Sequence, residues 1–161
     1  MRTTRINGRL LRQQRASATH VVYQRSRYAS LALGYTPKVW VLHADNAETA
    51  LAKRDEYLKA LERESGSGQF DRFVAALIFT ELVGNVVRHA GGPVDVRLYC
   101  KNGDAKLQVI DSGRGFTLRR SLPKHPLDDH GRGLYLVSRF SKDLSVQALR
   151  YGTCVSAVFP L

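Results

Sequence analysis

One segment of the chain places polar side chains at helical spacing within apolar surroundings. Residues four apart lie on one face of an α-helix, so Glu81, Asn85 and His89 would project together. Arg88 would lie beside them. A carboxylate in so apolar a helix is costly unless it has a partner or a chemical task. The segment is therefore a candidate reactive site, and the alternative is a polar helix end that emerges into solvent.

Two glycine-containing segments follow along the chain. Residues 111–115, Asp-Ser-Gly-Arg-Gly, end a predicted strand, where paired glycines allow a sharp turn and the close approach of a planar ligand. An ordinary glycine turn would explain them equally well. Residues 130–136, His-Gly-Arg-Gly-Leu-Tyr-Leu, lead into a predicted helix. Exposed amides at a helix N-terminus suit phosphates, although glycine loops before helices are common.

The surrounding periodicity predicts the elements that position these segments. A β-branched and aromatic run predicts a strand, leucines and alanines at helical spacing predict helices, and apolar–polar alternation around Asn102-Gly103-Asp104 predicts a hairpin. Residues 73–79 are apolar on every side, which is typical of a helix sandwiched in the core. The predicted strands are 39–43, 94–100, 106–111, 144–149 and 153–159; the helices are 47–62, 70–90 and 133–140; and 116–130 is a loop or lid.

This order of elements predicts an α+β fold. Strand, helix, helix, two strands, lid, helix and two strands describe a two-layer sandwich, with helices on one face of a mostly antiparallel mixed sheet.

Together, in this order and on these elements, the three segments resemble the N, G1 and G2 boxes of the ATP-binding domain shared by gyrase, Hsp90, histidine kinases and MutL. The resemblance covers residues 39–161, and ExxxN, DxGxG and GxGLxL together are far more specific than any single box. The chain has no GxxxxGK[ST] loop, no HRD with DFG, and no GxGxxG opening a helix. The resemblance therefore implies an ATP-binding fold of this type.

The resemblance implies a role for each residue on the adenine side. Asp111 would accept a hydrogen bond from the adenine amino group. Gly113 and Gly115 would shape the adenine pocket, and Thr153 matches the family's threonine near the adenine edge.

On the phosphate side, the resemblance implies that Asn85 completes the coordination of a Mg²⁺ ion bridging the phosphates, an oxygen-ligand role suited to that ion. Glu81 would act as the general base for attack on the γ-phosphate. Backbone amides near the second glycine segment would hold the phosphates. The remaining residues assigned to nucleotide binding are Arg88, His89, Gly131, Arg132, Gly133 and Leu134.

Within this superfamily, residues 80–90 are similar to the bacterial anti-sigma factor serine kinases and related partner-switching kinases. We see no phosphoacceptor histidine helix, which disfavours an ordinary sensor kinase. The branch implies phosphate transfer from ATP to a serine of a small anti-sigma antagonist protein, with a sigma factor and a second copy of the chain as further candidate partners. Two alternatives stay open: a nucleotide-gated binding module without phosphotransfer, and a nucleic-acid-associated ATPase.

The possibility of a nucleic-acid-associated ATPase arises from the uneven distribution of charge along the chain. The 161 residues carry a formal net charge of +11, of which seven arginines and no acidic residue fall in residues 1–34. We expect a basic extension at 1–34, interpreted as a plain extension, an interaction arm or a targeting segment, and an ATPase domain at 35–161. Nucleic acid is a possible but less favoured partner, and its contacts with the arginines would be salt-dependent.

The amino-acid composition limits the class of protein and the cellular compartment that we expect. The longest apolar run, residues 73–79, has seven residues, far fewer than the ~20 that cross a bilayer, so we expect no membrane association. Cys100 and Cys154 are too few for a disulfide scaffold and form no zinc motif. We expect two free, half-buried thiols in a bacterial cytoplasm.

Overall fold

A computed structural model describes residues 20–24, 38–66, 68, 70–115 and 132–161. Secondary structure covers most of these residues. The strands are β1 His20–Gln24, β2 Lys38–Ala44, β3 Val94–Lys101, β4 Asp104–Asp111, β5 Asp143–Leu149 and β6 Gly152–Pro160. The helices are α1 Ala47–Leu51, α2 Arg54–Ser65, α3 Arg72–His89 and α4 Arg132–Phe140.

The strands form one sheet in the order β1-β2-β3-β4-β6-β5, and every pairing between the described strands is antiparallel. Strand residues alternate between a buried and a more open face, as the burial of β3 and β4 shows. Val96 opposite Val109 and Leu98 opposite Leu107 lie on the buried face. The same core contains the buried side chains of the helices. The predicted α+β architecture, with helices on one face of an antiparallel sheet, is confirmed.

Helix α3 lies at the centre of this core and begins at a well-formed cap. The Asp71 side chain accepts a hydrogen bond from the Val74 N–H at 3.0 Å, which satisfies one of the free amides of the first turn. Residues such as Ile78 and Phe79 are fully buried. Phe73, however, is 71% exposed, so the expectation that residues 73–79 are enclosed on every side is wrong. One side of α3 faces solvent because the sheet and the other helices cover only the remainder of its surface.

Most predicted elements lie within about two residues of their observed bounds, and two differences stand out. Strand β1 was not anticipated; it pairs with β2 at the edge of the sheet, within the predicted basic extension. The predicted helix 47–62 is divided into α1 and α2, because the chain turns at residues 52–53. There the Lys53 N–H bonds to the Ala50 carbonyl three residues back, at 3.0 Å, and this tight bond ends α1. The predicted lid at 116–130 lies outside the described residues.

Neither cysteine forms a disulfide; Cys100 is half-buried as expected, whereas Cys154 on β6 is buried. Among the helices that the structure describes, none has the length and apolar character needed to cross a membrane.

Candidate active site

An open cavity of about 560 Å³ lies between the C-terminal end of α3 and the end of β4. Its volume falls in the range of small-molecule sites. Six of the predicted nucleotide-binding residues line it, together with three others that were not predicted. The predicted six are Asn85, His89, Asp111, Gly113, Gly115 and Thr153, and the others are Ala90, Ser112 and Arg114. The tertiary structure thus brings the N-box and G1-box segments to one cavity.

Asp111 is the last residue of β4, and only 8% of its surface is exposed. Its Oδ1 accepts a hydrogen bond from the Gly113 N–H at 2.6 Å. Burial raises the pKa of the Asp111 carboxyl above its ordinary value, and the hydrogen bond from Gly113 offsets part of that rise. None of the hydrogen bonds among the described residues uses the second carboxyl oxygen, Oδ2. This oxygen is therefore an acceptor available to a donor group in the cavity.

The loop after β4 is packed tightly against α3. A Cβ on Gly113 would lie 2.8 Å from Asp111 Oδ1 and 2.9 Å from the Ala90 Cβ, so a larger residue would displace the carboxylate or the helix end. Thr153, buried on β6, donates its hydroxyl to the Gly113 carbonyl at 3.3 Å. A hydrogen bond and close steric contact therefore hold the loop, the helix end and β6 together around Asp111.

The catalytic candidate lies beside this cavity rather than in its lining. Glu81 is one helical turn before Asn85 on α3, and its side chain is 24% exposed. Its Oε2 is 3.5 Å from Arg88 Nη2. On another side the carboxylate meets Gly133 at the start of α4, where a Cβ would lie 2.6 Å from Glu81 Cδ. The structure thus places Glu81 next to the cavity, between Arg88 and the first turn of α4.

The G2-box residues are less closely associated with the cavity. Gly131 lies outside the described residues. Arg132, Gly133 and Leu134 form the first turn of α4, and none of them appears in the described lining of the cavity. The Leu134 side chain packs against the core. Phosphate binding by the amides of this segment stays a prediction.

Asn85 is the candidate magnesium ligand. It is half-buried, and it lines the cavity. Within the described part of the chain, no group of three or more His, Cys, Asp or Glu side chains could hold a metal ion. An amide oxygen is a suitable hard ligand for Mg²⁺, which usually binds through few protein groups together with phosphates and water. The residues present therefore fit a magnesium ion that is held jointly with a bound nucleotide.

Four residues near the site escaped the sequence prediction. Ser112 and Arg114 occupy the variable positions of DxGxG, and Ala90 directly follows the predicted site residue His89, so their proximity to the motifs was the only signal. Gly152 was not assigned to the site, although it directly precedes the predicted residue Thr153. A Cβ on Gly152 would lie 2.9 Å from the Asp111 carbonyl carbon and closer still to its oxygen. Its importance arises from a contact between residues distant in sequence.

Comparison with known proteins agrees with the assembled geometry. The family described as histidine kinase-like ATPase domain matches residues 44–159, which is more than two thirds of the chain. A search among curated proteins finds no match. The matched region runs from the end of β2 to the end of β6 and includes Glu81, Asn85, Asp111 and Thr153. The chain therefore belongs to the histidine kinase-like ATPase domain family, of the type shared with gyrase, Hsp90 and MutL, and this region is an ATP-binding domain.

Proposed function

We propose that the protein is a serine kinase of the anti-sigma factor type, which transfers the γ-phosphate of ATP to a serine of a small partner protein. The observation that carries this proposal is the position of Glu81. Its carboxylate lies on α3 one turn from Asn85, and Asn85 lines the cavity that contains Asp111 and Thr153. A carboxylate beside a nucleotide cavity is a suitable proton acceptor for a hydroxyl group.

In this proposal the adenine ring enters the cavity next to Asp111. Oδ2 accepts a hydrogen bond from the adenine amino group, while Oδ1 keeps its bond from the Gly113 N–H. Thr153 supports this arrangement through the Gly113 carbonyl. The Asn85 amide oxygen lies on the phosphate side and would hold Mg²⁺ together with the phosphates. When bound, the ion supplies neutralisation of the charge on the transferring phosphate.

Glu81 orients the serine hydroxyl and takes its proton. The serine Oγ forms a bond to Pγ, the bond between Pγ and the bridging oxygen breaks, and ADP leaves with that electron pair. Catalysis by such a base contributes typically 10²–10⁴-fold to the rate. The proposed acceptor is a small anti-sigma antagonist, with a sigma factor as a second partner. The similarity of residues 80–90 to that branch supports this assignment.

The proposal is tested by incubating the protein with Mg²⁺, γ-labelled ATP and the small proteins encoded beside its gene. We expect label on serine of one neighbour. Glu81→Ala should retain ATP binding and lose phosphotransfer by about 100-fold or more. Glu48→Ala, which removes an exposed glutamate of α1, is the control and should transfer phosphate normally. Normal transfer by Glu81→Ala would refute the catalytic assignment.

One observation favours a second function, a nucleotide-gated binding module. The Glu81 carboxylate lies against Arg88 and outside the described lining of the cavity. A protein that binds its partner only with nucleotide, and leaves ATP unchanged over long incubation, would fit this alternative. In that case Glu81→Ala would change partner affinity, and no neighbour would be labelled.

A further inference from the structure

The contact between Gly133 and Glu81 joins two elements that are 52 residues apart in the sequence. A Cβ built on Gly133 would lie 2.6 Å from Glu81 Cδ and 3.3 Å from Cγ, and closer still to Oε2. Real Cβ atoms essentially never lie within 3.0 Å of another heavy atom in this way. Any side chain at position 133 therefore has to displace the Glu81 carboxylate from its observed place.

The carboxylate, rather than the backbone, would move. It forms the end of a flexible side chain, and 24% of that side chain is exposed, so solvent space is available. Such a displacement costs less folding free energy than a shift of the backbone would, because no backbone atom is in the way. The displacement would instead lower the rate of the catalysed reaction, since misplacing a reacting group by about 1 Å can reduce a rate by about 10²-fold.

Arg88 borders the same carboxylate from within α3. Its Nη2 lies 3.5 Å from Glu81 Oε2, and its Nη1 would lie 3.5 Å from a Cβ on Gly84. The carboxylate is thus bordered by a guanidinium on its own helix and by the bare Cα of Gly133 on α4. The absence of a side chain at 133 leaves the space that the carboxylate occupies.

We propose that Gly133 is a positioning residue, which acts by leaving room for the Glu81 carboxylate in its reactive position. This inference rests on the proposed function, because it takes Glu81 as the base. It differs from the phosphate-binding role that the sequence resemblance implies. A glycine needed only for its amide would affect nucleotide affinity, whereas a positioning glycine affects the turnover of bound nucleotide.

The first test is a comparison of Gly133→Ala with the parent protein in phosphotransfer. We expect kcat to fall by about 30-fold or more, while KM for ATP and Kd for ADP change by less than about threefold. Gly84→Ala is the matched control, since its Cβ would make only ordinary contact with Arg88 and kcat should stay within about twofold. A loss of ADP affinity with unchanged kcat would overturn the inference.

The second test replaces Glu81 with aspartate, whose side chain is one methylene shorter. The carboxyl carbon of Glu81→Asp would lie near the present Cγ, which is 3.3 Å from the Cβ of an alanine at 133. Because the carboxyl oxygens of the aspartate would lie one bond closer to α3 than those of glutamate, Gly133→Ala should reduce kcat less in the Asp background than in the Glu background. An equally large reduction in both backgrounds would contradict steric displacement of the carboxylate.

The third test does not depend on activity. A double-mutant cycle of Gly133→Ala and Glu81→Ala is followed by thermal unfolding. Gly133→Ala should raise Tm more when residue 81 is alanine than when it is glutamate, because only the glutamate is displaced. Additive Tm changes would overturn the proposed contact. Normal phosphotransfer by Glu81→Ala would instead remove the proposed function, and the cycle would still report on the contact.

Discussion

Asp111 shows, at the scale of a single residue, a conflict between stability and binding. A carboxylate buried at the end of β4 has one oxygen bonded to the Gly113 N–H and the other without a partner among the described residues. Burial raises its pKa, so the folded protein without nucleotide holds the proton more strongly than the unfolded chain. The unfolding free energy therefore decreases as pH rises from the ordinary pKa of Asp to the raised one.

Asp111→Asn should separate the two effects. The amide oxygen can still accept from Gly113, but its NH₂ group cannot accept a bond from adenine. We expect ATP affinity to fall by roughly 10- to 100-fold, in line with the 1.5–3 kcal/mol of a hydrogen bond to a charged group. Without nucleotide, the Tm of the variant should equal or exceed that of the parent at pH 7. The difference should shrink as pH falls towards 4. Calorimetric titration measures the ATP affinity, and melting curves measure Tm. A variant that binds ATP with full affinity but is less stable than the parent at pH 7 would contradict this account.

At the scale of elements, the junction between β4 and β6 determines where Asp111 lies. Asp111 is opposite Thr153, and Gly152 begins β6 directly beside the Asp111 backbone. Gly152 has φ of 144°, a conformation that other residues rarely adopt. A Cβ there would meet the Asp111 carbonyl group and lie 3.1 Å from Ser112 Cα. Backbone atoms within a sheet cannot rotate aside as the Glu81 side chain can.

Gly152→Ala should therefore reduce the unfolding free energy by about 2–6 kcal/mol, the sum of backbone strain and overpacking. It should also weaken nucleotide binding, because the end of β4 has to shift. Gly103→Ala, in the β3–β4 turn, is the control: Gly103 also has positive φ, but nothing lies within 4 Å of its Cβ position. Gly103→Ala should lower the unfolding free energy only by the backbone strain, about 1–3 kcal/mol, and should leave nucleotide affinity unchanged. Denaturant unfolding measures the unfolding free energy of each variant. Equal losses in the two variants would show that the contact of residue 152 with Asp111 is unimportant.

At the scale of the whole molecule, part of the basic segment contributes a strand to the sheet. Residues 1–34 share a basic composition, but residues 20–24 form β1 and pair with residues 39–43 at the sheet edge. A deletion of residues 1–34 removes this strand and leaves β2 as an unpaired edge. A deletion of residues 1–19 removes five of the seven arginines and leaves β1 in place.

The two deletions should therefore behave differently. We expect the 1–34 deletion to melt at least about 2 °C below the 1–19 deletion, because it loses the β1–β2 pairing. If the arginines hold nucleic acid, both deletions should weaken its retention at low salt. Thermal unfolding and a nucleic-acid retention assay on both proteins measure these effects. Equal melting temperatures would show that β1 contributes nothing to the stability of the sheet.

Local patterns in the sequence determined much of this protein. The helix of Glu81 and Asn85, the hairpin before Asp111 and the helix after Gly131 were predicted with nearly the observed bounds, because periodicity and turn residues act over short stretches. The three motifs also predicted the family. The resemblance also predicted that Asp111 and Thr153 lie near the adenine, and both line the cavity.

Only the tertiary structure decided the contacts between residues distant in sequence. The contact of Gly133 with Glu81, the packing of Gly152 on the Asp111 backbone and the pairing of β1 with β2 all depend on how elements pack. The exposure of Phe73 depends on the same packing, since its helix is apolar all round in sequence and covered on part of its surface in the fold. Local propensity carries no information about such contacts, because their free energy exists only after the chain has brought the elements together.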